Sequence, residues 1–317
     1  MEITRDPPLR RDWDALTVNA AFVQGWAYGA VAERLGATVH RLRIGNASCL
    51  GVAQVIERGI GPLCLLWLPG GIHWLRGADT PRALKTIRLA WPGAVFVLSP
   101  DAGRVLRQAP QRAVLDLSGD LRAGLRKKWR NRLTCAGRAG LSVTREPGCP
   151  DWLLGRDAEM RRRRGYRALP HRWLATLERV SPGTVESWIA SDHDGPVAGV
   201  CLLRHGREAV YHLGQTTPAG RRASAHNLLL WHAMCAVRDE GCTRMDLGLI
   251  DPVRLPGLTH FKLGTGARAI NDPPTRLLCP WDQASDGSQS TMDGKATSVA
   301  MVTASARKNG ITPRNTS

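Results

Sequence analysis

The sequence is short of two aromatic residues: it has three phenylalanines and three tyrosines, beside eleven tryptophans. It shows no clustered aromatic signature of the kind that stacks RNA bases in an RNA-recognition domain. Its eight cysteines, at positions 49, 64, 135, 149, 201, 235, 242 and 279, include no pair at Cys-x-x-Cys spacing. A zinc ribbon or thioredoxin-type site is therefore not indicated, and reduced thiols are expected. No apolar run approaches the ~20 residues that span a bilayer. The opening Met1-Glu2-Ile3-Thr4-Arg5-Asp6-Pro7-Pro8 is polar, without the apolar stretch of a secretory signal. A cytoplasmic location with no transmembrane segment is expected, and any membrane contact would be peripheral. The signatures of a nucleotide P-loop, a zinc metalloprotease helix and a nucleophile elbow are also missing. The histidines show no ligand spacing, so no metal is assigned.

What the sequence has in excess is positive charge. Forty-four Lys and Arg against 27 Asp and Glu give a net +17. An anionic partner follows: nucleic acid, a phosphorylated substrate or an acidic membrane face. The charge is concentrated. Between Leu121 and Arg172 there are fifteen basic residues and four acidic ones. Arg126-Lys127-Lys128-Trp129-Arg130-Asn131-Arg132 lies in a segment read as one helix from Leu121. Its apolar stripe is Leu121, Leu125, Trp129 (or Lys128), Leu133 and Ala136, and Asp116 or Ser118 is a candidate cap. The basic face is either a solvated surface or a phosphate-binding one, since arginine offers a bidentate fork to phosphate.

Along the chain, strand patterns at 39–44, 51–56, 63–67, 95–98 and 113–117 alternate with helices at 21–35 and 81–89. Further on come helices at 151–164 and 171–180, and three strands at 184–191, 197–204 and 208–214 with turn-like joints. A helix at 223–240 and a strand at 243–247 close the folded part. This order argues α/β or α+β. Gln283 to Ser317 is rich in Ser, Thr, Gly, Asn and Asp and is expected to be disordered. At Tyr211 to His226 a strand meets a polar, glycine-containing loop and then an apolar helix. Backbone N–H groups at such a junction, with Arg221 and Arg222 beside them, can receive an anion. The alternative is a plain connection with two exposed arginines.

This order of elements resembles the Gcn5-related N-acyltransferase (GNAT) architecture, and more specifically the FemAB/FemX aminoacyltransferases of the peptidoglycan interpeptide bridge. Four stretches carry the resemblance. They are Gln24-Gly25-Trp26-Ala27-Tyr28-Gly29; Lys127-Lys128-Trp129-Arg130-Asn131-Arg132-Leu133; Met160 to Tyr166 with Pro170 and Trp173; and Tyr211 to Lys262 with Asp246-Leu247-Gly248 and His260-Phe261-Lys262-Leu263-Gly264. The resemblance implies a tandem of two GNAT-like domains, each a mixed, largely antiparallel sheet flanked by helices. They are placed at 1–140 and 141–282, ahead of a tail at 283–317.

It also implies transfer of an aminoacyl or acyl group onto an amine of a cell-envelope, peptidoglycan-precursor-like substrate. The acyl donor is then a co-substrate, aminoacyl-tRNA or an acyl-CoA, and no bound cofactor is expected. The acceptor is an anionic nucleotide- or lipid-linked pyrophosphate. Lys262 matches the family's suspected oxyanion stabiliser; the alternative is a surface lysine at a strand end. Asp246 is a candidate proton acceptor or orienting group, and Tyr211 a cleft residue. Lys127, Arg130, Arg221, Arg222, Gln215, Phe261 and Asp251 are assigned to substrate binding, although Asp251 before Pro252 also reads as a turn residue.

The sequence departs from the family in two places. Gln215 and Gly220 lie too far apart for the usual coenzyme A loop, and no helical-hairpin arm is found. Two alternatives stand beside the aminoacyltransferase: a coenzyme A-dependent acetyltransferase of a small amine, and a non-enzymatic RNA-binding protein using 127–132 and 161–164.

Overall fold

The computed structural model describes residues 1–5, 8–46, 49–60, 63–98, 103–165 and 168–282. The tail at 283–317 and Tyr166 of the arginine-rich stretch lie outside the described residues. The chain begins with strand β1 (Glu2–Thr4), helix α1 (Arg10–Leu16), a 3-10 turn at Phe22–Gln24 and α2 (Trp26–Arg34). Then follow β2 (Thr38–Gly45), β3 (Cys49–Ile60), β4 (Leu63–Leu68), β5 (His73–Trp74), α3 (Thr80–Ala90), β6 (Val95–Leu98) and β7 (Arg104–Arg107). The next elements are β8 (Gln111–Asp116), α4 (Leu121–Gly124), α5 (Lys127–Gly137), β9 (Ser142–Pro147), α6 (Asp151–Arg164) and α7 (His171–Val180). They lead to β10 (Val185–Asp192), β11 (Gly195–His205), β12 (Glu208–Thr216), α8 (Pro218–Arg222) and α9 (Ala225–Asp239). The last are β13 (Arg244–Ile250), α10 (Pro256–Leu263), β14 (Arg268–Asn271) and β15 (Thr275–Leu278).

The strands form two mixed sheets flanked by helices. One has the order β1-β2-β3-β4-β6-β15-β7, with β5 paired to β3. The other has the order β14-β8-β13-β12-β11-β10-β9. The two follow one plan. β2, β3 and β4 form an antiparallel meander, and a helix then returns the chain to β6, parallel to β4. β10, β11 and β12 do the same, with α8 and α9 leading to β13, parallel to β12. This repetition is the tandem architecture expected from the sequence.

Sheet membership divides the chain elsewhere than at residue 140. β8 hydrogen-bonds β13 and β14, so residues from about 110 belong to the second sheet, while β15 crosses back to sit between β6 and β7. β14 and β15 leave no mark in the sequence, because β14 is exposed throughout and β15 is only four residues long; neither offers an alternating pattern to read.

A core around α5, α9 and the second sheet holds the predicted stripe Leu121, Leu125, Trp129, Leu133 and Ala136. The helix carrying that stripe is broken, however. Asp120 caps α4 through the N–H groups of Arg122 and Ala123. Leu125 and Arg126 are extended, and Arg126 N–H turns to the carbonyl of Gly264, 3.0 Å away. Asp116 and Ser118 bond to each other instead of capping the helix. The expected helix at 223–240 is α9, Ala225–Asp239; the short α8 precedes it, parted from it by Ser224 at φ 54°.

A second core joins the two sheets: Phe22, Tyr28 and Val31 pack with Trp173, Leu174, Leu177 and Leu213. Glu208 of β12 reinforces it by accepting from Phe22 N–H at 2.8 Å. No helix among the described residues is long and apolar enough to cross a membrane.

Candidate functional site

The parallel pairs differ between the two halves. β4 and β6 stay paired through all four residues of β6, Val95 to Leu98. β12 and β13 pair only at Glu208–Val210 with Arg244–Asp246. Beyond that point Tyr211 on one strand and Leu247 on the other part company. The parting is built in. β12 carries a bulge opposite Cys201 and Leu202. β13 shifts register against β8 between Asp246 and Leu249, where Gly248 sits at φ 78°, a left-handed conformation that glycine adopts without a Cβ penalty. A wedge-shaped opening between two parallel strands exposes backbone groups that a ligand can pair with. Among the described residues only the second half shows one.

Lys262 is placed at this opening. It lies on α10 rather than at a strand end, and only 7% of it is exposed. The Nζ donates to the carbonyl of Leu249 at 2.8 Å and lies 5.8 Å from the centre of the Tyr211 ring. A Cβ placed on Gly248 would stand 3.6 Å from that Nζ, so glycine leaves the space in front of the ammonium open. Burial pushes Lys262 down to about 8, opposed by Asp246 and assisted by Arg112. The side chain is thus largely cationic at neutral pH, and one of its three donor directions is used by Leu249.

Asp246 does not face the opening as a free base. Its buried carboxylate takes the Arg112 guanidinium, through Nε at 3.0 Å and through Nη2, and accepts from Gly248 N–H at 2.7 Å. Arg112 also reaches Asp272 at 3.6 Å. Asp246 therefore positions the Gly248 turn and supports the Lys262 charge; it is not placed to accept a substrate proton. Neither Arg112 nor Asp272 was singled out in the sequence. Arg112 sits 134 residues from Asp246, and no local pattern links them.

Tyr211 is held from behind. Its hydroxyl lies 3.0 Å from His226 Nε2, and His226 Nδ1 lies 2.9 Å from Thr216 Oγ1. Burial pushes His226 down to about 4, so it is neutral at physiological pH and relays an orientation rather than a charge. Gly214 makes room for this group: a Cβ there would come within 2.0 Å of the Tyr211 hydroxyl. Phe261 packs on His226 and Trp129, at centroid distances of 5.3 and 6.1 Å. Phe261 is thus wall material between α10 and α5 more than a substrate contact. Neither His226 nor Thr216 was named as a site residue from the sequence, where the histidines show no ligand spacing.

The remaining candidates are scattered or engaged. Asp251 is a turn residue: its Oδ1 accepts from the N–H groups of Val253 and Arg254 at 3.0 and 2.8 Å. Arg221 donates back to the Thr216 carbonyl at 3.1 Å, and Arg222 is exposed. Gln215 lies on β12 opposite Gly199. In α8 and the turn after it, the N–H groups of Gly220, Arg221, Ala223 and Ser224 all bond to Thr217, Ala219 or Arg221, within this short segment. Lys127 and Arg130 are exposed on α5, outside the opening; Arg130 reaches the Leu125 carbonyl at 3.3 Å. The one grouping of potential metal ligands among the described residues, Asp192, His193 and Asp194, is a surface turn between β10 and β11.

Residues 119–263, from just before α4 to the end of α10, match the family model described as an acetyltransferase (GNAT) domain. The chain has a GNAT acyltransferase fold. The structure of FemX superposes with a TM-score of 0.68 over 86% of this chain and 96% of that one, at 14% identity. A conserved protein of unknown function from Bacteroides thetaiotaomicron superposes with a TM-score of 0.56 over 87% of this chain and 99% of that one, at 13% identity. No curated protein matches the sequence. The FemX-like resemblance read from the sequence is thus met at the level of the fold. The matched GNAT segment includes the split strands and Lys262.

Proposed function

We propose that the chain is an N-acyltransferase that moves an aminoacyl or acyl group onto an amine of a cell-envelope, peptidoglycan-precursor-like substrate. The observation that carries this reading is the buried Lys262 ammonium at the opening between β12 and β13, inside a GNAT domain with a FemX-like fold. The donor's carbonyl lies in the opening; a neutral acceptor amine attacks it. Negative charge collects on the carbonyl oxygen as the tetrahedral intermediate forms, and Lys262 faces it as a fixed cation. Burial makes that interaction stronger than it would be in water. Tyr211, steadied by His226, forms the opposite wall. The amine's proton leaves with solvent or the departing group, since Asp246 is committed to Arg112 and Gly248.

Coenzyme A is the less favoured donor. Several N–H groups of α8 and the turn after it, which would face a pyrophosphate, are already bonded within this segment. Aminoacyl-tRNA remains the preferred donor. Lys262→Ala should fold normally and lose about 10²–10³ in kcat, the scale of one oxyanion donor. Transfer from a radiolabelled aminoacyl-tRNA to a nucleotide-linked pentapeptide measures this; undiminished turnover removes the role from Lys262.

A further inference from the structure

The stretch from the end of β13 into the first turn of α10 has an unusual surface. Leu249, Val253, Leu255 and Leu258 are exposed by 45, 88, 42 and 40%. Four aliphatic side chains in ten residues are thus left in water, where burial elsewhere would be favourable. They are presented by a fixed turn. Asp251 caps it through Val253 and Arg254, its N–H donates to Thr259 Oγ1 at 3.1 Å, and Leu255 N–H returns to the Asp251 carbonyl at 2.9 Å.

The apolar rim adjoins the basic helix. Leu258 stands one turn before Phe261 on α10, and Phe261 meets Trp129 of α5. Arg126 N–H holds the Gly264 carbonyl at the end of α10. Around Trp129, the side chains of Arg126, Lys127, Lys128, Arg130 and Arg132 are exposed, and α5 contains no acidic residue. Arg254 of the turn is also exposed, 4.0 Å from the Asp251 carboxylate with which it pairs.

We propose that the 249–258 rim and α5 together dock the protein on a bilayer containing anionic lipid, with the Lys262 opening turned towards the membrane surface. Charge brings the protein to an acidic surface, and a few aliphatic side chains entering the headgroup region hold it there. The composition of the rim favours lipid over RNA. Single-stranded bases are gripped by stacking on aromatic rings, and this rim has none. The proposal deepens the envelope-substrate reading, because a membrane-facing opening can receive an amine carried on a lipid-anchored acceptor.

Cosedimentation of the full chain with vesicles tests it without any acyl donor, so the result is independent of whether Lys262 transfers a group. Binding to phosphatidylcholine vesicles containing phosphatidylglycerol is expected, with little binding to phosphatidylcholine alone. Val253→Asp with Leu258→Asp, both at exposed positions, should weaken binding by about tenfold or more. Lys128→Glu with Arg132→Glu should do the same, and circular dichroism confirms the fold of each variant. Absence of binding to the anionic vesicles overturns the proposal. So does binding that the Asp variants leave unchanged. Tight binding of tRNA in a chain that ignores both vesicle types assigns the surface to RNA and likewise overturns it.

Discussion

At the scale of single residues, the site is a balance of charges around Lys262. Burial lowers its pKa to about 8, with Asp246 pulling it back up and Arg112 pushing it down. In the proposed role the cation is the form that meets the oxyanion, so kcat/KM should fall as pH rises through about 8. Asp246→Asn removes a supporting charge, and the fall should move to lower pH. Arg112→Met removes an opposing charge, and the fall should move to higher pH. It should also destabilise the chain by about 3 kcal/mol, because Asp246 is left buried without its partner. A pH–rate profile of each variant, with a denaturant titration of Arg112→Met, reads both effects. An alkaline limb unmoved by either substitution disconnects Lys262 from the pair.

At the scale of elements, α10 is fitted to α5 at one point. A Cβ on Gly264 would come within 2.6 Å of Trp129 Cδ1. Gly264→Ala should therefore force the two helices apart and cost about 1–3 kcal/mol, the range seen for overpacking. Thermal melting checks the stability, and a parallel loss of turnover is expected because Lys262 rides on α10. Much at this scale was legible in the sequence. The three-strand meander at 185–216 shows its alternation and its turns, and the α5 stripe shows helical spacing. The breaks were not legible. Whether Arg126 continues a helix or turns its N–H to Gly264 depends on a carbonyl far along the chain, and local spacing says nothing of it. The same holds for the site: Lys262, Tyr211 and Asp246 stand in motifs, whereas Arg112 and His226 acquire their roles from partners that only the fold brings near.

At the scale of the whole molecule, the halves share a core and exchange a strand. Trp173 of α7 packs against Phe22 and Tyr28 of the N-terminal segment, and β15 lies inside the sheet of the first half. Unfolding should accordingly be one transition. Leu278 is buried against β6; Leu278→Asp places an unpaired charge there and should lower the melting of both halves together by several kcal/mol. Tryptophan fluorescence and loss of transfer activity should follow the same curve; two separate transitions would show independent halves.

The exchanged strand also sets an order in time. The second sheet draws on a continuous run, from β8 to β14. The first sheet cannot be completed until residues 275–278 have left the ribosome, since β6 and β7 touch only through β15. During synthesis the half made first is therefore the half finished last. Its open edge at β6 waits while the half that carries Lys262 assembles beside it.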